Sequence, residues 1–169
     1  MDGPRIPVSP ARRAGQPGPG GDESPVIRVL IAEDVGAVRD TLVALLGLET
    51  GIEVAAAVAA GDQIVPAALE HRPDVALLDV GLPGVDGLTA AAELASRLPS
   101  CRVLILTGLD APANLGAALR TGARGFLLKD EPAGELIGAV RAVARGERVI
   151  DSRLAGLPHQ PGGDPGQQR

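Results

Sequence analysis

Apolar residues in the middle of the chain come in short runs, and these alternate with stretches of helical spacing. The runs are VIRVLIA (26–32), IEVAAAV (52–58), VALL (75–78), VLIL (103–106) and GFLL (125–128). Each has the length of a strand and ends in polar or turn-forming residues. Between them, Val38, Leu42, Leu45 and Leu46 fall at i, i+4, i+7 and i+8, and Leu136, Val140, Val143 and Ala144 repeat that spacing. Such spacing puts one apolar stripe on a helix. Strict alternation of strand and helix through short loops predicts an α/β fold, a parallel sheet covered by helices on both faces. The first, third and fourth runs are nearly all apolar, as central strands are. The second interleaves Glu53 with small alanines, as an edge strand does. That pattern predicts a doubly wound, five-stranded parallel sheet of order 2-1-3-4-5.

The two ends of the chain read differently. Residues 1–25 are rich in Pro, Gly and Arg, and 151–169 in Gly, Pro and Gln. Neither can bury enough apolar surface to offset its ordering entropy, so both are expected to be disordered, the second beginning as a linker remnant. One domain is therefore predicted over residues 26–150. The chain of 169 residues is 45% hydrophobic and 22% charged, an ordinary globular balance, so one sizeable core is expected. A net charge of −5 argues against a nucleic-acid footprint. A single cysteine, Cys101, excludes an internal disulfide. There is neither a membrane-length apolar run nor a signal-peptide core, so a cytoplasmic address without membrane contact is expected.

In an open parallel sheet, ligands bind beyond the carboxyl ends of the strands. There the first strand delivers Glu33 and Asp34, the third Asp79, the fourth Thr107 and the fifth Lys129. Three carboxylates in one crevice repel unless a cation sits among them. Oxygen ligands without His or Cys select Mg²⁺. With Thr107 as a hydrogen-bond donor and Lys129 as a point charge, the set suits phosphoryl transfer, with the central Asp79 as nucleophile. Taken singly, the residues have simpler readings. Asp34 suits the N-cap of a helix starting near Gly36, Lys129 an ordinary solvated lysine, and Thr107 a turn. Asp86, just before Gly87 and Leu88, suits the N-cap of the helix after the third strand. Taken together, the simpler readings do not explain why four of five strands end in residues suited to phosphate or metal.

The motifs VLIAEDVGAVR, HRPDVALLDVGLPGVDGL, CRVLILTG, GARGFLLKD and ELIGAVRAVARGERVID resemble a bacterial two-component response-regulator receiver domain of the LuxR type (NarL/FixJ class). The resemblance implies a flavodoxin-like receiver fold. It makes Asp79 the phosphoacceptor for a sensor histidine kinase. Glu33, Asp34, Asp79 and the backbone carbonyl of Gly81 become the Mg²⁺ ligands, and Thr107 and Lys129 the phosphoryl-binding and switch residues. Phe126 takes the position of the switch aromatic; a plain core role also suits a buried aromatic, but that the chain's only aromatic falls at this position favours the switch role. Gly81 offers no side chain to an attacking water, and Asp130 follows Lys129 where relatives often have proline.

The resemblance also implies output through a partner or a homodimer. LuxR-type regulators carry a helix-turn-helix after the linker. The residues after Ile150 cannot build one, so no direct DNA binding is expected of this chain. Two alternatives keep the fold: a phosphorylation-independent interaction module, or the receiver half of a transcriptional regulator whose DNA-binding domain is truncated. An enzyme reading fits less well. A dehalogenase-like phosphatase wants a second aspartate where Gly81 stands, and a dinucleotide enzyme wants a glycine-rich turn in place of Glu33-Asp34-Val35-Gly36. Phosphotransfer from a kinase and autodephosphorylation are the only chemistry expected.

Overall fold

Every predicted apolar run forms a strand. A computed structural model describes residues 25–108 and 111–155. Strands β1 (Ile27–Ala32), β2 (Ile52–Val58), β3 (Val75–Asp79), β4 (Arg102–Thr107) and β5 (Gly125–Leu128) alternate with helices. The helices are α1 (Gly36–Gly47), α2 (Ile64–His71), α3 (Gly87–Arg97), α4 (Ala111–Arg120) and α5 (Ala133–Ala144). The sheet is parallel, and its order departs from expectation in one respect. A sixth strand, β6 (Val149–Ile150), pairs with β5, giving β2-β1-β3-β4-β5-β6. Two half-buried residues carry no periodicity, which is why a five-stranded sheet was predicted. A one-turn helix, α6 (Ser152–Ala155), follows. Asp151 and Leu154 are buried, so packing continues beyond the boundary expected at Ile150. The segments expected to be disordered, 1–25 and 151–169, otherwise lie outside the described residues, except for Pro25.

Side chains alternate between two cores because the sheet is covered on both faces. Leu30, Leu78, Ile105 and Phe126 pack with residues of α2 and α3 and with Leu115 and Ala118 of α4. Val29, Ile31, Leu77, Leu104 and Leu127 pack with α1 and α5. Each fully buried aliphatic contributes about 1.5–3 kcal/mol relative to exposure. On α5 the predicted stripe is buried at Leu136, Val140 and Val143. On α1 only Leu42 and Leu46 are buried, while Val38, counted in the stripe, is exposed. It lies in the first turn of the helix.

Two glycines let the loops at the carboxyl end of the sheet close. A Cβ on Gly87 would sit 2.2 Å from the carbonyl oxygen of Asp79, and one on Gly61 would sit 1.4 Å from that of Val85. Gly61 N–H also donates to the Pro83 carbonyl at 2.9 Å. The turn Gly61–Gln63 is thereby fixed against the loop that follows Asp79. No described helix is long and apolar enough to cross a membrane.

Candidate phosphoacceptor and metal site

β1 and β3 are hydrogen-bonded neighbours, and β3 and β4 pair Asp79 with Leu106. This register brings the ends of four strands into one crevice. Glu33 follows the last residue of β1 and is fully buried; its N–H donates to the Val58 carbonyl at 3.0 Å. Asp79 closes β3 and Thr107 closes β4, and both are buried. Lys129 follows β5, and its N–H donates to the Thr107 carbonyl at 2.8 Å. The side chains thus stand on strand ends fixed by backbone hydrogen bonds.

Carboxylate oxygens of Glu33, Asp34 and Asp79 lie within 4.8 Å of one another. The Lys129 ammonium is 3.0 Å from Glu33 Oε1 and 3.3 Å from Asp79 Oδ2. Burial opposes its charge, but the contact with Glu33 and the charges of Asp79 and Glu33 outweigh that effect. The ammonium is held above the ordinary lysine range. Lys129 is also the only lysine in the chain. One cation facing three carboxylates leaves the crevice negative. Glu33 Oε2 accepts the Val35 N–H at 3.1 Å. Glu33 Oε1 has the Lys129 ammonium as its single close partner. The convergence of three carboxylates on one ammonium and the all-oxygen donor set fit a hard divalent cation such as Mg²⁺.

The simpler readings divide on inspection. Asp86 does cap α3, accepting the Thr89 N–H at 2.9 Å. Asp34 does not cap α1: the cap position is Val35, which makes no side-chain cap bond. Asp34 is exposed at the mouth of the crevice. Gly81 donates its N–H to Asp79 Oδ1 at 3.3 Å, and a Cβ there would face open space. Phe126 lies not in the crevice but in the core, fully buried, paired in register with Ile105 and Ile150. Asp130 is joined to Lys129 by a trans peptide.

Two contributors went unnoticed in the sequence. Arg39 donates to the Glu33 carbonyl at 2.9 Å, bracing the peptide that presents Glu33 and Asp34. Asp151 accepts the Leu128 N–H at 3.1 Å, one residue before Lys129. A single arginine in the first turn of α1 is no signal by itself. The lysine count was one: a chain with sixteen basic residues places its single lysine at this site.

The sequence and the fold are similar to those of known proteins. A family model described as the response regulator receiver domain matches residues 29–141. The chain belongs to the response regulator receiver family. The oxygen regulatory protein NreC of Staphylococcus epidermidis is 38% identical over 129 residues, 76% of this chain and 59% of NreC. The receiver therefore matches little more than half the length of that relative. The receiver domain of the response regulator NarL from Mycobacterium tuberculosis superposes with a TM-score of 0.70 at 36% identity, covering 73% of this chain and all of that one. A LuxR-family two-component response regulator from an Aurantimonas species gives a TM-score of 0.73 at 27% identity, over 77% and 93% of the two chains. The chain is thus a receiver domain of a two-component response regulator, similar to the NarL and NreC regulators of the LuxR type.

Proposed function

We propose that this receiver accepts a phosphoryl group on Asp79 from a sensor histidine kinase in the cytoplasm and changes a surface for a partner or a second copy in response. The observation that carries the reading is the buried, charge-imbalanced crevice. Lys129 bridges Glu33 and Asp79, so one ammonium is shared among three carboxylates. In the transfer, an Asp79 oxygen forms a bond to phosphorus as the phosphorus–nitrogen bond of the donor phosphohistidine breaks and the imidazole departs. Glu33, Asp34, Asp79 and the Gly81 carbonyl would hold Mg²⁺, which when bound offsets the charge of the phosphoryl oxygens. Lys129, in contact with Asp79, and Thr107, at the end of the neighbouring strand, would receive those oxygens. Gly81 leaves the approach to Asp79 open, so water access is not limited by a side chain there. Phosphotransfer and spontaneous hydrolysis are the whole of the chemistry, without turnover of a free substrate. The net charge of −5 supports a protein partner over direct contact with DNA.

Incubation with acetyl phosphate and Mg²⁺ tests the reading. The intact mass of the wild type is expected to rise by one phosphoryl group and that of Asp79→Asn to stay constant. An unmodified wild type, or equal uptake by the variant, would refute it.

A further inference from the structure

The segment that follows the sheet is bolted to the segment carrying Phe126 and Lys129, and the bolts recur along it. Ile150 pairs with Phe126, and the Asp151 N–H donates to the Phe126 carbonyl at 2.9 Å. Asp151 Oδ2 accepts the Leu128 N–H at 3.1 Å. The Arg153 guanidinium reaches Asp130 Oδ1 at 2.9 Å and Glu131 Oε2 at 3.1 Å, and it donates to Asp151 Oδ1 at 3.1 Å and Oδ2 at 3.2 Å. Lys129 is therefore flanked on both sides by residues tied to Asp151 and Arg153.

Asp151 is not an ordinary surface acid. Its side chain is fully buried while that of Arg153 is half exposed. Its second oxygen also accepts the Arg153 N–H at 2.9 Å, and its carbonyl accepts the Leu154 N–H at 2.8 Å. Burial alone would raise its carboxyl pKa. Hydrogen bonds with Glu131, Arg153 and the Leu128 and Arg153 N–H groups overcome that and hold it well below the usual carboxylate range. A buried carboxylate whose hydrogen bonds are all satisfied fixes geometry more firmly than it adds stability.

We infer that Asp151, with Arg153, is a positioning latch for Lys129, so that placement of the lysine at the phosphorylation site and docking of the segment after β6 are coupled. The inference rests on the proposed role of Asp79 and extends it. The latch does not touch the reacting atoms. It fixes the strand end from which Lys129 reaches Glu33 and Asp79. Coupling of this kind is reciprocal: whatever ligand strengthens the hold of Lys129 also strengthens the hold of the segment from Val149 to Ala155. The end of the sheet thereby becomes an exit for the signal toward whatever follows.

The unique lysine makes the test direct. In the full chain labelled with ¹⁵N-lysine, the single side-chain ammonium signal reports Lys129, and beryllofluoride with saturating Mg²⁺ mimics the phosphoryl group. Asp151→Ala is expected to shift and broaden that signal and to weaken beryllofluoride binding by about tenfold, the effect of losing a charge-assisted hydrogen bond. Asp151→Asn keeps an acceptor for Leu128 N–H and is expected to recover part of the affinity. Arg153→Ala, on the exposed half of the latch, should act in the same direction more weakly and serves if Asp151→Ala does not fold. In the wild type, beryllofluoride is expected to slow amide exchange at Leu128 and Arg153. A lysine signal and an affinity unchanged in folded variants, even with a lowered melting temperature, would make Asp151 merely structural and overturn the latch alone. Failure of the wild type to bind beryllofluoride would overturn the role of Asp79 and the latch together.

Discussion

The two ends of the sheet both carry acids and bases and treat them in opposite ways. At the amino end, charges pair off with nearby groups. Asp74 accepts the Arg28 N–H at 2.9 Å, the Arg28 guanidinium donates to the His71 carbonyl, and Arg102 donates to the Ala144 carbonyl at 3.2 Å. Arg141 binds Glu49 at 3.2 Å and the Thr50 carbonyl at 3.0 Å. These acids and bases keep access to water and tie strands to loops. At the carboxyl end, Glu33, Asp79 and Thr107 are buried and three carboxylates face one lysine. Stability is better served by the first arrangement. The second is kept where a ligand completes it.

The largest effect that would break or sharpen this contrast is expected from Asp79→Asn. Phosphoryl uptake falls below detection, while relief of repulsion raises metal-free stability by about 1 kcal/mol. Chemical denaturation beside intact-mass analysis reads both, and a loss of stability would contradict the picture of an unfinished site. Next comes Asp74→Ala at the opposite end, expected to cost about 1 kcal/mol by removing the acceptor of Arg28 N–H. Uptake there should match wild type, and a reduced rate would mean that the ends are not independent.

Smaller still is the alkaline dependence of Lys129. Its folded pKa is raised above the ordinary 10.5, so its contribution is fully present below that value and lost as pH rises through the folded pKa. Wild type and Lys129→Met should therefore converge in stability only above about pH 10.5, a value set by the ordinary lysine pKa. Convergence at neutral pH would show that the ion pairs contribute nothing. The smallest expected signal is a null one. Burial, followed by the charge of Asp74, pushes the Cys101 thiol up to about 12. Iodoacetamide at pH 8 should leave it unmodified until the protein is unfolded. Labelling of the native chain would mean that the amino end opens readily.

The strands and their order were legible because burial on both faces demands unbroken apolar runs, and the break in each run marks where the strand leaves the core. The crevice was legible for the same reason: Glu33, Asp79, Thr107 and Lys129 stand at those breaks. The cap role of Asp86 followed from its place before Gly87. What escaped notice depends on tertiary contact. Val149 and Ile150 are too few to show a period and become a strand only by lying beside β5. Asp151 resembles any linker acid until the fold delivers Leu128 N–H to it. Val38 shares the helical spacing of Leu42 and Leu46, yet it stays exposed in the first turn of α1. Phe126 was placed correctly on its strand, and its full burial makes its ring a probe of the core next to the site.

The most direct test of the central claim is an amide NMR titration of the full chain with beryllofluoride and Mg²⁺. The expected result is a set of shifts concentrated at Glu33, Asp34, Asp79 to Gly81, Thr107 and Lys129, continuing through Phe126 to Asp151 and Arg153. Arg28, Asp74 and Cys101 should stay still, and the whole response should vanish in Asp79→Ala. A silent wild type, or a response that survives Asp79→Ala, would contradict it.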